Sequence, residues 1–266
     1  MIKLIATDMD GTFLNSDKQF DKEFVDIFYE MKKQNIKFVI ASGNQYYRLY
    51  QKFIPLSEQM YFVAENGGYI AEGATELYSN IIKPEHVMLV RNVLENNKRI
   101  VLVVCGKKGA YILKDHFDLR NEIKKYYCNY SFVNSFDEVN DDIIKIAVYD
   151  HEQRAYEVFD QIKDQFPLEL RIVTSGNEWV DIQNKDAHKG LGIQFLQMIY
   201  DINKDKCMAF GDQMNDYEML QQVKYGCAMA NAVDSIKNIA YEVIQSNDEQ
   251  GVLLKIKDVL KNNENY

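Results

Sequence analysis

The stretch Lys3-Leu4-Ile5-Ala6-Thr7-Asp8-Met9-Asp10-Gly11-Thr12 decides how this chain reads. Lys3–Thr7 is a short, mostly apolar run that stops at two carboxylates, a glycine and a threonine. Strands of a parallel sheet have this form, and such sheets bind ligands outside the carboxyl ends of their strands. The design recurs along the chain. Ile36–Ala41 is followed by Ser42-Gly43-Asn44, and Tyr61–Ala64 by Asn66-Gly67-Gly68. Cys207–Gly211 runs into Asp212-x-x-Asn215-Asp216, and Gly226–Met229 into Asn231.

Helix-period segments lie between these runs. Phe24, Ile27, Phe28 and Met31 stand at i, i+3, i+4, i+7 and predict a helix over 21–34, ended by a left-handed Asn35. Tyr46, Leu49, Tyr50 and Phe53 share a face of a second helix. Leu191, Phe195, Met198 and Ile199 stripe a helix that begins near Lys189; a further helix is expected around 215–223, and Val252, Leu253, Ile256, Val259 and Leu260 mark the last. The alternation predicts an α/β core with a mainly parallel, Rossmann-like sheet.

Residues 83–183 follow another order. Helices are expected over 84–97, 115–127 and 151–165, with β runs at Ile100–Cys105, Ala110–Leu113, Tyr130–Val133, Ile143–Tyr149, Leu168–Val173 and Trp179–Gln183. Neighbouring runs suggest hairpins and an antiparallel sheet. The expected organisation is a discontinuous core, residues 1–82 and 184–266, with an α+β module inserted at 83–183.

Composition narrows the function classes. The 266 residues carry a net charge of −9, which argues against nucleic acid or an anionic membrane as partner. No apolar run approaches the roughly 18 residues of a membrane span. The N-terminus meets Asp8 too early for a signal peptide. The four cysteines, Cys105, Cys128, Cys207 and Cys227, form no C-x-x-C pair and read as free thiols of a reducing compartment, most simply the cytoplasm.

Any one of the strand-end residues could be ordinary turn or N-cap chemistry. Their convergence on one sheet edge points to a site. Asp8 and Asp10 are two apart and could point the same way from an extended segment, and two close carboxylates need a cation or a shared proton. Asp212, with Asp216 nearby, adds oxygen donors suited to Mg²⁺. No His/Cys spacing supports zinc. Of four scattered histidines only His188, beside Lys189, is kept as a candidate.

Together Asp8-Met9-Asp10-Gly11-Thr12, Ala41-Ser42-Gly43-Asn44, Asn66-Gly67-Gly68, His188-Lys189-Gly190 and Gly211-Asp212-Gln213-Met214-Asn215-Asp216 resemble the haloacid dehalogenase-like superfamily of phosphotransferases. Within it the chain is most similar to the Cof-type hydrolases, which carry an inserted cap of the type called IIB. The resemblance implies that Asp8 is the nucleophile, forming an aspartyl-phosphate, and that Asp10 is the general acid and base, with a raised pKa. It implies Mg²⁺ held by the Asp8 carboxylate, the backbone carbonyl of Asp10, and Asp212. Ser42, with Gly43 and nearby backbone N–H groups, and Asn215 would bind phosphate. Lys189 would offset charge, and Asp216 would orient Lys189 or a metal-bound water. Asn66-Gly67-Gly68 reads as a turn whose glycines take positive φ. Many relatives have Thr-Gly-Arg where this chain has Ser42-Gly43-Asn44, so an arginine contact is absent.

The implied activity is a Mg²⁺-dependent phosphatase acting on small phosphorylated metabolites, sugar phosphates foremost. The alternatives are a phosphomutase of the same architecture and a non-catalytic sugar-phosphate sensor; Asp10 and Asp212 speak against a dehalogenase. Asn177, Glu178 and Trp179 are candidates to reach the mouth of the site, though a buried packing role for Trp179 is at least equally open. A monomer is expected, with a dimer as the alternative.

Overall fold

The computed structural model describes residues 1–266, the side chain of Ser175 apart. The chain runs β1 (Leu4–Thr7), α1 (Phe24–Lys33), β2 (Lys37–Ala41), α2 (Tyr46–Lys52), β3 (Tyr61–Ala64), β4 (Tyr69–Glu72) and β5 (Thr75–Ser79). A middle section follows: α3 (Pro84–Leu94), β6 (Ile100–Gly106), β7 (Ala110–Leu113), α4 (Arg120–Tyr126), β8 (Tyr130–Val133), β9 (Ile143–Asp150), α5 (Ala155–Ile162), β10 (Leu170–Ser175) and β11 (Trp179–Asn184). The C-terminal section is α6 (Lys189–Ile199), β12 (Cys207–Gly211), α7 (Tyr217–Gln221), β13 (Tyr225–Met229), α8 (Asp234–Lys237), β14 (Glu242–Ile244) and α9 (Gly251–Asn262).

Two compact units result. One comprises Met1–Gly43, Leu49–Leu77 and His188–Tyr266; the other comprises Asn44–Arg48 and Tyr78–Ala187. The first contains a sheet in the order β14-β13-β12-β1-β2-β3-β4-β5, parallel from β14 to β3. Thr7 is in register with Phe210 on one side and Ile40 on the other, and Ala41 with Val63. The residues that follow these four strands therefore emerge along one edge, so the α/β expectation holds.

Helix α1 buries the stripe read from the sequence, Phe24, Ile27, Phe28 and Met31. Phe24 meets Phe13 edge-on at 4.8 Å and Phe38 at 5.0 Å between ring centroids, tying the helix to the loop after β1 and to β2. Burying each such side chain contributes roughly 1.5–3 kcal/mol. Asn35 takes the expected left-handed conformation, φ 56°.

Helix α6 differs from its reading. Met198 and Ile199 are exposed and Leu191 and Phe195 only half-buried, whereas Lys189, Gly190, Gly192, Ile193, Leu196 and Gln197 face inward. Two glycines and a lysine make that face look polar to an apolar count, although close packing and charge pairing bury it. The strands β4, β5 and β14 and the helix α8 are not in the sequence reading, being short or partly exposed. The segments 115–127 and 215–223 open with 3₁₀ structure, Lys114–Leu119 with a kink at His116 before α4 and the single turn Met214–Asp216 before α7. The helices expected over 84–97 and 151–165 contract to α3 and α5.

In the second unit the strand order is β10-β11-β9-β6-β7-β8. The hairpins β6–β7 and β10–β11 are antiparallel as expected. By contrast, β8 pairs in parallel with β7 and not with β9, because α4 carries the chain back across the sheet. Trp179 packs with Tyr126, Tyr127 and Tyr149, centroids 4.8–6.1 Å apart. It starts β11, at the opposite end of that strand from Asn184, where the chain leaves toward α6. Of the two roles left open for it, packing is the one seen.

Of the glycines expected at positive φ, only Gly67 has it, at 93°; Gly68 is at −68°. A Cβ on Gly67 would stand 2.3 Å from the His188 carbonyl oxygen, so the bare backbone is what lets this turn seat the start of α6. Gly67→Ala combines a collision with a left-handed residue. A loss of about 2–4 kcal/mol in urea unfolding is expected; an unchanged midpoint would show that the turn relaxes freely.

Candidate active site

Asp8 follows β1 directly, and its N–H is held by the Phe210 carbonyl of β12 at 3.0 Å. Its side chain is buried against Lys189, the first residue of α6. That helix begins where it does because His188 caps it, Nδ1 accepting from the Leu191 N–H at 3.1 Å. The ammonium of Lys189, completely buried, donates to Asp8 Oδ1 at 2.5 Å and to Asp216 Oδ1 at 2.6 Å. The other Asp216 oxygen accepts from the backbone N–H groups of Asp212 and Gln213 at 2.8 and 3.0 Å. Asp212 accepts from the Thr12 hydroxyl at 2.7 Å and from the Gln213 amide at 3.3 Å.

Carboxylate oxygens of Asp8, Asp212 and Asp216 thus lie within 4.8 Å of one another. Space there is tight: a Cβ on Gly11, whose φ is 83°, would meet Asp212 Oδ2 at 2.5 Å. Only glycine lets the loop after β1 pass so close to the second carboxylate.

Asp10 behaves otherwise. Its carboxylate is about half exposed and accepts from Lys18 Nζ at 2.9 Å, outside the buried cluster. The extended geometry that would align it with Asp8 ends at Thr7. Beyond it the chain turns, Thr12 and Leu14 N–H both bonding the Met9 carbonyl. The shared direction expected for the two side chains is corrected accordingly, and Asp10 does not join the carboxylate cluster through its side chain.

Ser42 is buried just beyond β2, its N–H on the Val63 carbonyl at 2.9 Å and its own carbonyl accepting from the Asn66 N–H at 3.0 Å. Asn215 is exposed, and its amide reaches Asn66 Oδ1 at 3.4 Å. Gly43 lies against the same Asn66 side chain: a Cβ there would sit 3.1 Å from its amide. Ser42, Gly43 and Asn215 therefore converge on Asn66, which the sequence offered only as a turn residue. Thr12 is a second omission. It stands inside the Asp8–Thr12 motif, but its partner lies 200 residues away and has no sequence signal.

Burial pushes the Asp8 carboxyl up to about 8; Lys189 opposes this, while Asp216 and Asp212 reinforce it. Burial also raises Asp212, against its hydrogen bond from Thr12. Burial alone would lower Lys189, but Asp216 and Asp8 outweigh it, so the ammonium is held charged. Three carboxylates face one ammonium, a negative excess that a divalent cation would neutralise.

The chain as a whole is similar to known proteins. Residues 5–256 match the family of haloacid dehalogenase-like hydrolases. The 5-amino-6-(5-phospho-D-ribitylamino)uracil phosphatase YbjI of Escherichia coli is 34% identical over 98% of this chain and 97% of its own. The crystal structure of SMU.1108c from Streptococcus mutans covers 98% of this chain and 100% of its own, with 34% identity and a TM-score of 0.87. The subclass IIB sugar phosphatase BT4131 shares the fold at 22% identity, covering 96% of this chain and 98% of its own with a TM-score of 0.76. The chain belongs to the haloacid dehalogenase-like hydrolases. It is an enzyme of the phosphatase class within them.

A carboxyl whose pKa is higher in the folded chain than in the unfolded one favours folding at low pH. That stability fades as pH rises through the folded value. In metal-free protein the thermal midpoint should fall from about pH 5 to about pH 8.5 relative to Asp8→Asn, in which the group does not titrate. Added Mg²⁺ should raise the wild-type midpoint more at the alkaline end, because ion and proton compete for one carboxylate. Parallel curves for the two proteins would remove Asp8 as the titrating group.

Proposed function

We propose that the enzyme is a Mg²⁺-dependent phosphomonoesterase acting on small phosphorylated metabolites, sugar phosphates foremost, through an aspartyl-phosphate. The observation that carries this reading is the buried ammonium of Lys189 shared by Asp8 and Asp216, with Asp212 inside the same 4.8 Å cluster. Phosphoryl transfer is mainly positioning and charge neutralisation, and the cluster supplies fixed opposite charges beside one nucleophilic oxygen.

The donor set fits Mg²⁺: hard oxygen ligands, with no histidine or cysteine in the group. Both oxygens of Asp216 are engaged, by Lys189 and by two N–H groups, so this residue orients the lysine. The carboxylates of Asp8 and Asp212 and the main-chain carbonyl of Asp10 would hold the ion. When bound, it supplies positive charge to a phosphate oxygen and keeps Asp8 ionised.

In the first step an Asp8 oxygen attacks phosphorus, the bond to the substrate alkoxide breaks, and Asp10 gives that oxygen a proton. In the second, Asp10 takes a proton from water, the water oxygen attacks phosphorus, and phosphate leaves with the Asp8 carboxylate restored. For both, the Asp10 side chain leaves Lys18 and turns toward the substrate. Ser42, the N–H of Gly43 and Asn215 hold the phosphate oxygens, and Lys189 offsets charge on Asp8 and the phosphate.

The second unit, read from sequence as a cap over 83–183, is assigned the choice of substrate. The name of the Escherichia coli relative puts a phosphate at the end of a ribityl chain on a pyrimidine, so a polyhydroxylated phosphate monoester is the substrate class proposed. The four free cysteines fit a reducing compartment such as the cytoplasm. No helix is long and apolar enough to cross a membrane among the described residues.

Hydrolysis of a chromogenic phosphate ester should require Mg²⁺, stop on chelation and resume when the ion is restored. Asp8→Asn should lower turnover by about a thousandfold or more, the amide being a poor nucleophile. Asp10→Asn should lower it by about 10²–10⁴ while phosphate binding, followed by calorimetry, is retained. Near-normal turnover in the first variant would remove the covalent route, and in the second the acid–base assignment.

A further inference from the structure

Asn231 takes no part in these chemical steps, although it follows β13 at the same sheet edge as the active-site residues. Its Nδ2 donates to the Gly11 carbonyl at 2.8 Å, and its Oδ1 accepts from the Asn247 N–H at 3.2 Å. The Nδ2 of Asn247 in turn donates to the Leu14 carbonyl at 2.9 Å. Two residues before Leu14, the Thr12 hydroxyl holds Asp212; two after it, Asp248 accepts from the Ser16 N–H at 2.8 Å and from its hydroxyl at 2.7 Å. From the loop that carries Asn231, the Val233 N–H also bonds the Asp212 carbonyl at 3.0 Å.

We propose that Asn231 is a positioning residue for phosphoryl transfer: with Asn247 it pins the turn over 10–14 from outside, fixing Asp10 and the Thr12–Asp212 contact. Between Asp8 and Phe24 the chain contains no helix or strand element and only one isolated bridge, Asp10 to Leu14. Backbone bonds to Asp8 and Met9 and the buried Phe13 and Leu14 hold the turn from within, and the Asn231 and Asn247 amides hold its Gly11 and Leu14 carbonyls from outside. Asn231 is exposed, and exposed polar contacts add little to global stability. What they can fix is position, and a misplacement of about 1 Å near reacting atoms costs about a hundredfold in rate. An amide is required because the two atoms work in opposite senses: the nitrogen donates to one carbonyl, and the oxygen accepts from the N–H that brings Asn247 to the other.

The assignment deepens the phosphatase reading and rests on it. Two variants separate donor from acceptor. Asn231→Asp keeps the shape and the acceptor toward Asn247 but sets an oxygen against the Gly11 carbonyl; Asn231→Ala removes both. Each is compared with wild type in steady-state hydrolysis of a chromogenic phosphate ester with Mg²⁺, and in amide hydrogen exchange of the metal-free protein. Expected for both variants are a fall in kcat of about tenfold or more, KM within about threefold, and exchange faster over residues 10–16 but unchanged in β1 and β12. An Asn231→Asp protein that behaves as wild type while Asn231→Ala fails would overturn the donor role. Unchanged kcat, unchanged exchange over 10–16, or acceleration spread through β1 and β12 would overturn positioning. A wild type without turnover would instead defeat the phosphatase reading, while the exchange data still decide whether Asn231 pins the turn.

Discussion

A single ammonium, that of Lys189, sits completely buried between two carboxylates, and the first unit is built around keeping it there. A lone charge in such a place costs several kcal/mol, and removing one partner of a buried pair costs about 3–5 kcal/mol. None of the four charged groups can therefore be buried alone. Asp8 leaves β1, Asp212 leaves β12, Asp216 ends the 3₁₀ turn that follows, and Lys189 opens α6. The parallel register of β1 with β12 brings the first two together. The N-cap of α6 and the near approach of its backbone to Gly67 set the lysine at its height. Fold and site are one electrostatic problem here: helix position, turn conformation and strand register each have to be right before any of the charges is tolerable.

The solution is unbalanced. Three carboxylates against one ammonium leave the cluster short of positive charge, and the raised Asp8 and Asp212 pKa values register that shortfall, burial first and the neighbouring carboxylates after it. A site tuned only for stability would match the charges, or replace them with apolar side chains of similar size. Left unmatched, the excess costs stability, and it is the charge that the divalent ion of the proposed mechanism would offset. Asp216 shows how the imbalance is kept orderly. Its two oxygens are engaged by Lys189 and by backbone N–H groups, which holds the ammonium between Asp216 and Asp8.

Much of this is legible in the chain because the strands announce themselves. Runs such as Tyr61–Ala64 and Cys207–Gly211 coincide with β3 and β12, since strands buried on both faces must be apolar throughout. The motif residues Asp8, Asp212 and Asp216 meet because strand ends meet, and Lys189 reaches them from the start of α6. What sequence does not show depends on distant partners. Thr12, Asn66 and Asn231 are turn-forming residues by type, and nothing local says that they hold Asp212, Asn215 and Gly11. The buried face of α6 is hidden for a related reason: Gly190 and Gly192 are inward because backbone or side chains come close, not because they are hydrophobic. The strands β4 and β5 escape notice since the segment that opens them reads as a glycine turn.

Asp8 and Asp10 are two residues apart, yet the fold gives them opposite surroundings, one with a side chain about a tenth exposed and the other about half. Extended backbone would have sent both the same way; the turn at Met9 separates them. The separation suits two carboxylates asked to do different work. In the proposed mechanism a nucleophile gains from fixed charges in a water-poor place, where Lys189 sets its direction and a bound ion would keep it ionised. An acid and base must trade protons with an alkoxide and then with water, which a side chain sealed among other carboxylates could not do. The exposed side chain of Asp10, on a turn whose neighbours Met9, Phe13 and Leu14 are buried, can change partners in the proposed chemistry while its backbone stays in place. Its rigid neighbour two residues earlier cannot, and the proposed chemistry needs both behaviours on one short loop.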